Sequence, residues 1–380
     1  TPEAVQYDES RIASLGLFNR VKILATPITT GKAALVVSVR EQWYVYPFPI
    51  LGIKYRDWSN IYYGLGVTHE NFRGRDEKLS AIAVLGFEPW GSLRYRNPFL
   101  DDNGTYSLTT SISYNRINNK SLRVPVPDSV TLQERHFTPS VAFGRRFDNF
   151  NTAMLSAEYD VIEMSQYYPG TTLSPTGIDR FPVFMAGYTY DTRDLIEYPQ
   201  NGAYVRLTMT TYGLPSDEVH NIRYAFDLRR DIPFYLGGMK LTWATRIYGN
   251  ILHGGPTASY NRVFFGYDER IRGHFDDIVE GEDLSGISSE LHLPLIDPIF
   301  FTVPYLPPEF NLWKFGMTLA VFGDAGEAWF RGDPVGWNQA LKGYGASLDF
   351  LLMFNAVLRL EYGLNEVRKG QFIFEGGLAF

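Results

Sequence analysis

From Tyr46 to the C-terminus the chain alternates apolar and polar positions with a period of two, in segments of roughly ten residues. That is the rhythm and length a transmembrane β-strand requires. In 313–324, Trp313, Phe315, Met317, Leu319 and Val321 share one face, and Lys314, Gly316, Thr318, Ala320, Phe322 and Asp324 the other. In 355–364, Ala356, Leu358, Leu360, Tyr362 and Leu364 oppose Asn355, Val357, Arg359, Glu361 and Gly363. In 371–380, Phe372, Phe374, Gly376, Leu378 and Phe380 oppose Gln371, Ile373, Glu375, Gly377 and Ala379. A soluble sandwich also alternates. Here, however, aromatics recur at strand ends, as interfacial girdles do, and charges sit on the less apolar face, as around a wet interior.

The pattern predicts sixteen strands, near 49–57, 61–70, 77–87, 90–97, 104–116, 135–147, 151–161, 181–192, 202–213, 219–231, 237–250, 283–295, 312–324, 342–352, 354–364 and 371–380. An even number fits a single-chain bacterial barrel. The expected fold is an all-β membrane protein: a 16-stranded antiparallel transmembrane β-barrel over 46–380. Long connections fall near 117–134, 162–180, 251–282 and 325–341, and short ones near 148–150 and Met353. Outer-membrane barrels alternate long external loops with short periplasmic turns. The segment Ile296–Asn311 departs from that alternation, being long on the short side.

Residues 1–45 read differently. Ile12, Leu15 and Phe18 line one face of a short helix over Glu9–Phe18, and strands follow at Arg20–Ala25 and Ala34–Trp43 around the turn Thr29-Thr30-Gly31-Lys32. So few residues bury little, so this segment reads as part of a domain.

Composition narrows the function. The formal charge of −7 argues against nucleic acid, which needs clustered Lys and Arg. With no cysteine there are neither disulfides nor Cys-based metal sites. No apolar run approaches the ~18 residues of a membrane helix. The six histidines, His69, His136, His220, His253, His274 and His292, form no His-x-x-x-His pair. Nucleophile elbow, phosphate-binding loop and EF-hand motifs are absent, and a site around His292 with Ser288 and Ser289 has no motif behind it. The expectation is no enzyme, no cofactor and no metal.

The candidate chemistry lies between His253 and Gly326. A connection of some thirty residues is usually functional or disordered, and this one carries Ile271-Arg272-Gly273-His274. If the loop folds inward, Arg272 needs acceptors for its five donors. Glu290 and Asp324 fall on the inward parity of the next two strands, and each can accept from it. The opposing reading is a solvated surface arginine.

These segments resemble the Omp85 superfamily. Ile271-Arg272-Gly273-His274 is similar to its loop-six motif, except that His274 stands where the family usually has Phe or Tyr. Ser289–Pro294, with Glu290, resembles the strand that follows, and Phe322-Gly323-Asp324-Ala325-Gly326 its Phe-x-Asp-x-Gly motif. Tyr190–Asp194, with Asp191 and Arg193, then Pro199 and Gly202, resembles a further signature, and the C-terminal Phe380 fits. Ser14–Phe18, Val21, Ile23, Val36, Val39, Arg40 and Glu41 resemble the second half of a POTRA domain, making 1–45 a partial POTRA-like, α+β periplasmic segment.

The resemblance implies insertion or translocation of β-barrel client proteins at the bacterial outer membrane. Its partners would be unfolded outer-membrane or secreted clients, the lipid bilayer, and periplasmic or lipoprotein accessory subunits. It also implies a seam between first and last strands that opens sideways. Pro47 and Pro49 lack amide N–H groups, and Gly52, Gly376 and Gly377 weaken their strands, so both sides of the seam read as poor at pairing. Alternatives are export of a partner protein, as in two-partner secretion, and a passive porin.

Overall fold

The computed structural model describes residues 5, 17–29, 32–41, 44–55, 57–127, 129–194, 198–267, 269–305, 312–352 and 356–378. It comprises two compact units, residues 1–113 and 114–380. Among the described residues the regular structure is β-strand with one 3-10 turn.

The first unit opens with β1 (Phe18–Thr29) and β2 (Lys32–Glu41), an antiparallel hairpin. The helix expected over Glu9–Phe18 lies outside the described residues except for Leu17 and Phe18, and Phe18 already belongs to β1. A meander follows: β3 (Val45–Ile53), β4 (Ile61–Phe72), β5 (Glu77–Gly86) and β6 (Trp90–Asn97). β7 (Tyr106–Asn118) runs into the second unit.

That unit continues with β8 (Gln133–Arg146), β9 (Asn151–Met164), β10 (Ile178–Asp191), β11 (Gly202–Tyr212), β12 (Asn221–Leu236) and β13 (Met239–Gly254). A long loop contains the short hairpin β14 (Val263–Phe265) and β15 (Val279–Gly281). β16 (Asp283–Thr302), β17 (Leu312–Trp329), β18 (Leu341–Leu351), β19 (Ala356–Asn365) and β20 (Gly370–Leu378) complete the chain.

One large antiparallel sheet takes sixteen of these strands, matching the expected number, in the order β20 to β16, then β13 down to β3. Sequence neighbours are therefore sheet neighbours, except where β13 pairs with β16 past the long loop. Local chemistry sets the turns. Gly237 and Gly238, both at positive φ (57° and 84°), make the two-residue connection between β12 and β13, as a primed hairpin turn requires.

Several boundaries differ from the sequence reading. The first sheet strand is 45–53, not 49–57, because proline on an edge strand need not end it. The segment from Ile296 is not a connection: β16 carries on to Thr302, with register shifts around Ile296 that absorb Pro294 and Pro298. β17 likewise runs past Asp324 to Trp329, shortening the connection expected from 325.

The faces are inverted relative to a soluble protein. On β17, Leu319 and Val321 are exposed while Thr318, Ala320, Phe322 and Asp324 are buried. On β20, Phe372 and Phe374 are exposed and Ile373 is buried. In the first unit, Leu65, Leu79 and Leu85 are exposed, whereas Val84, on the other face of β5, is buried. At about 25 cal/mol per Å² of apolar surface, such rows of rings and aliphatic chains are stable only against another apolar phase. The alternation read from the sequence thus separates an exposed apolar face from a buried, more polar one.

The edge geometry of β3 follows from one bond. The Glu70 amide donates to the Tyr44 carbonyl (2.8 Å), so that pair exchanges hydrogen bonds. In an antiparallel ladder bonded and non-bonded pairs alternate, and the register continues through Pro47↔Val67 and Pro49↔Leu65. Pro47 and Pro49 therefore occupy positions whose backbone groups point away from β4. Gly52 plays a different part, since a Cβ there would collide with the Tyr62 ring.

Candidate functional site

The long loop after β13 packs on the inner face of β16 to β19, within the second unit. Its base is tied to neighbouring loops. Arg262 Nη1 donates to Ser121 Oγ and Glu280 Oε1 (2.6 Å each), and the Leu122 amide donates to Glu280 Oε2 (2.7 Å). Tyr260 donates its hydroxyl hydrogen to Asp179 (2.6 Å) and stacks on Phe181. Buried Arg223 donates to Asn250 Oδ1 (2.7 Å) and to the Asn261 carbonyl (2.5 Å).

The tip carries Ile271, Arg272, Gly273 and His274. Ile271 is buried among Tyr248, Phe265, Leu284 and Ala328. The Arg272 guanidinium grips Asp324 with both arms, Nε to Oδ2 at 2.6 Å and Nη2 to Oδ1 at 2.7 Å. The Arg272 amide adds a bond to Oδ2 (3.2 Å), and Ser288 donates its hydroxyl to Oδ1 (2.7 Å). Nη2 also donates to Ser288 Oγ (3.0 Å). Nη1 pairs with Glu290 Oε1 (2.6 Å) and lies 3.6 Å from Glu361 Oε1. Below the plane, the Phe322 ring centroid is 3.7 Å from Cζ. One fixed cation thus bridges β16, β17 and β19. The two-armed carboxylate contact is the strong, directional form of ion pair, and the ring adds cation–π attraction.

Backbone approach makes the grip reachable. A Cβ on Gly343 would collide with the Arg272 carbonyl oxygen. One on Gly363 would stand 2.8 Å from the Gly273 nitrogen, and one on Gly326 would stand 2.5 Å from Phe265 and 2.8 Å from Ile271. Three strand glycines therefore form a slot in which the tip lies. Gly273 itself has φ 96°, a left-handed conformation that disfavours any side chain.

Asp191 and Arg193 sit elsewhere, at the β10–β11 turn. Arg193 Nε and Nη2 reach Asp191 (2.9 and 2.7 Å), and its Cζ lies 4.5 Å from the Tyr204 ring centroid. Gly202 has φ 136°, and a Cβ there would stand 2.5 Å from Arg193 Cα. The motif builds the turn, and the turn carries Tyr198 against His292 of β16 (ring centroids 4.8 Å apart) and into a cluster with Leu351 and Val357. His292 in turn contacts Glu290 through Nε2 (2.8 Å). Between this turn and the loop tip lies a polar cavity of about 410 Å³, lined by Tyr198, Arg246, Glu269, Arg272, Glu290 and His292 among others. Arg246 is itself shared between Asp227 and Glu269.

The structure therefore brings Arg272, Glu290, Phe322, Asp324 and Gly326 together and sets Asp191 and Arg193 at a separate turn. Pro47, Pro49 and Gly52 lie in β3. Gly376 and Gly377 lie in β20, opposite Leu358 and Val357. Phe380 is outside the described residues. Sequence reasoning missed Glu361, Ser288 and the glycine slot. Glu361 was visible as an inward-parity residue of its strand. The slot had no sequence signal beyond the glycines themselves. Among the described residues no group of three or more His, Asp or Glu side chains is arranged to hold a metal ion.

Comparison with known proteins gives a consistent result. The Omp85 superfamily domain model matches residues 71–380. No curated protein sequence matches the chain. Among solved structures, BamA from Haemophilus ducreyi lacking POTRA domains 1-3 is similar with a TM-score of 0.68 at 16% identity, over 98% of this chain and 78% of that one. CdiB from Acinetobacter baumannii gives a TM-score of 0.59 at 13% identity, over 96% of this chain and 66% of that one. CdiB from Escherichia coli gives 0.62 at 12% identity, over 95% and 68%. At these identities the likenesses speak to fold alone, while the family match spans most of the sequence. With its large antiparallel sheet, inverted faces and arginine-gripped loop, the chain belongs to the Omp85 superfamily, a family of bacterial outer-membrane insertases and translocases.

Proposed function

We propose that the chain is an outer-membrane insertase for β-barrel client proteins, working as a closed sixteen-stranded barrel that opens between β3 and β20. On this reading residues 1–45 are a partial POTRA-like segment on the periplasmic side, and 46–380 form the barrel. Clients are unfolded outer-membrane or secreted chains, delivered with periplasmic or lipoprotein accessory subunits. No cofactor and no bond chemistry are involved.

The observation that carries the proposal is the parity of Pro47 and Pro49. Both direct a position without N–H toward the side of β3 that β4 does not use. A strand on that side meets carbonyl acceptors with two amides missing. Such an edge holds its neighbour weakly, so the seam can part there, and a client strand would pair through the carbonyls and the remaining amides. Gly376 and Gly377 of β20 support the same reading, since glycine weakens a strand interior.

Reconstitution tests it. The purified chain in liposomes should accelerate folding of an unfolded barrel client. Because the chain contains no cysteine, one engineered pair joining β3 to β20 gives a clean lock. The oxidised form should lose the acceleration and regain it on reduction. Unchanged acceleration in the locked form would refute sideways opening.

A second reading within the same family is export of a partner protein, in the manner of two-partner secretion. An exporter must clear the 255–282 loop from its path and depends on one passenger. A passive porin, by contrast, shows steady conductance and needs no client.

A further inference from the structure

His274 stands at the loop tip, nearly fully buried, at the position where the sequence departs from the family's aromatic residue. Among the described residues, its two ring nitrogens face only acceptors. Nδ1 lies 2.7 Å from Asp277 Oδ2, and Nε2 lies 2.7 Å from Glu366 Oε2 and 3.1 Å from the Lys342 carbonyl oxygen. A neutral imidazole has one N–H and one lone pair, and the lone pair would face a carboxylate here. Only the imidazolium satisfies both sides.

The groups around it come from three elements. Its own loop supplies Asp277. Asp276 of that loop is engaged by Gln371 Nε2 (2.8 Å), and Arg272 is turned toward Asp324. β18 supplies the Lys342 carbonyl, with the ammonium lying over the Trp337 ring instead (5.0 Å). The β19–β20 turn supplies Glu366. The next residue extends the contact, since the Phe275 amide donates to Gln371 Oε1 on β20 (2.9 Å). The tip thus has two fastenings. The guanidinium holds it to β16, β17 and β19, and the imidazole holds it to β18 and the final hairpin.

We propose that His274 is a positioning residue that fastens the loop tip to the β19–β20 hairpin only while it is protonated, so that rising pH loosens this contact and leaves the Arg272 grip in place. The chemistry of the site is that of a cation between two carboxylates. Burial opposes the charged form, but the hydrogen bonds to Asp277 and Glu366 outweigh it and raise the His274 pKa above its ordinary value. The sign follows. The folded value lies above the unfolded value of about 6.5. The stabilisation is therefore complete below about 6.5 and disappears as pH climbs through the folded value. This inference does not rest on whether the chain inserts or exports clients.

The test uses the full chain in detergent micelles or nanodiscs. Nitrogen-15 NMR of the imidazole distinguishes imidazolium from either neutral tautomer, and H274F assigns the signal. The expected midpoint is above the ordinary histidine value, falling by about one pH unit in E366Q. A midpoint at or below about 6.5, or one unmoved in E366Q, overturns the proposal. Hydrogen exchange at the amides of 364–371, corrected for intrinsic rate, should rise about tenfold across the titration in the parent chain. It should stay flat in H274F. A parent chain that is also flat, or an H274F variant that rises equally, overturns it as well.

Discussion

Removing the Arg272 guanidinium is the most informative perturbation of this molecule. In R272A, Asp324 loses both arms of its ion pair and the amide bond weakens as the tip relaxes, leaving Ser288 as its donor. Glu290 loses its 2.6 Å partner, and Glu361 loses a cation at 3.6 Å. The side chains of Asp324 and Glu361 are only 4% and 3% exposed, so water compensates poorly. Breaking a shielded pair by deleting one partner costs about 3–5 kcal/mol, and lost packing on Phe322 adds to it. At about 1.4 kcal/mol per decade, the equilibrium between seated and released loop shifts by between two and four orders of magnitude, roughly. Protease cleavage within 266–278, measured under conditions where opening is fast relative to cutting, reads that equilibrium. A cycle of R272A, D324N and the double variant isolates the coupling, expected well above ~0.5 kcal/mol, the scatter of independent sites. The double variant should be milder than the sum, because asparagine at position 324 leaves no unpaired charge there. Cleavage rates equal to the parent in R272A, or additive single effects, would refute the reasoning.

Other changes probe the remaining parts. G343A should release the tip without touching any charge, because the new Cβ collides with the Arg272 carbonyl; cleavage within 266–278 should rise at least tenfold, about 1.4 kcal/mol, and parent-like protection would show that the slot is not needed. Y260F removes the donor to Asp179 and should cost about 1–3 kcal/mol, read as a lower urea midpoint with unchanged slope. G202A forces a side chain into a left-handed position beside Arg193 and should cost about 1–3 kcal/mol, with loss of the Tyr198–His292 stacking visible in the NMR shifts of His292.

What the sequence disclosed depended on which interactions are periodic. Alternation is a local property, so the sixteen strands and the inward parity of Glu290, Asp324 and Glu361 follow from counting by twos. Arg272 was legible because a fixed cation in a long loop needs acceptors. The extent of β16 was not, because Pro294 and Pro298 look like strand ends until the register is allowed to shift around them. The start of β3 was misplaced for a related reason: Pro47 and Pro49 are tolerated only because of the side to which their nitrogens point. The glycine slot and the clasp around His274 join residues some fifty-five to ninety positions apart. No short window of sequence contains both halves of such a contact.

The inverted faces carry one more consequence. Mean hydropathy over the chain is −0.17, and no described helix is apolar enough to cross a bilayer. Each strand by itself is only half greasy, with its oily side chains interleaved among polar ones. A continuous apolar face comes into being only when neighbouring strands have zipped into register, so this polypeptide presents itself to lipid only as it acquires structure.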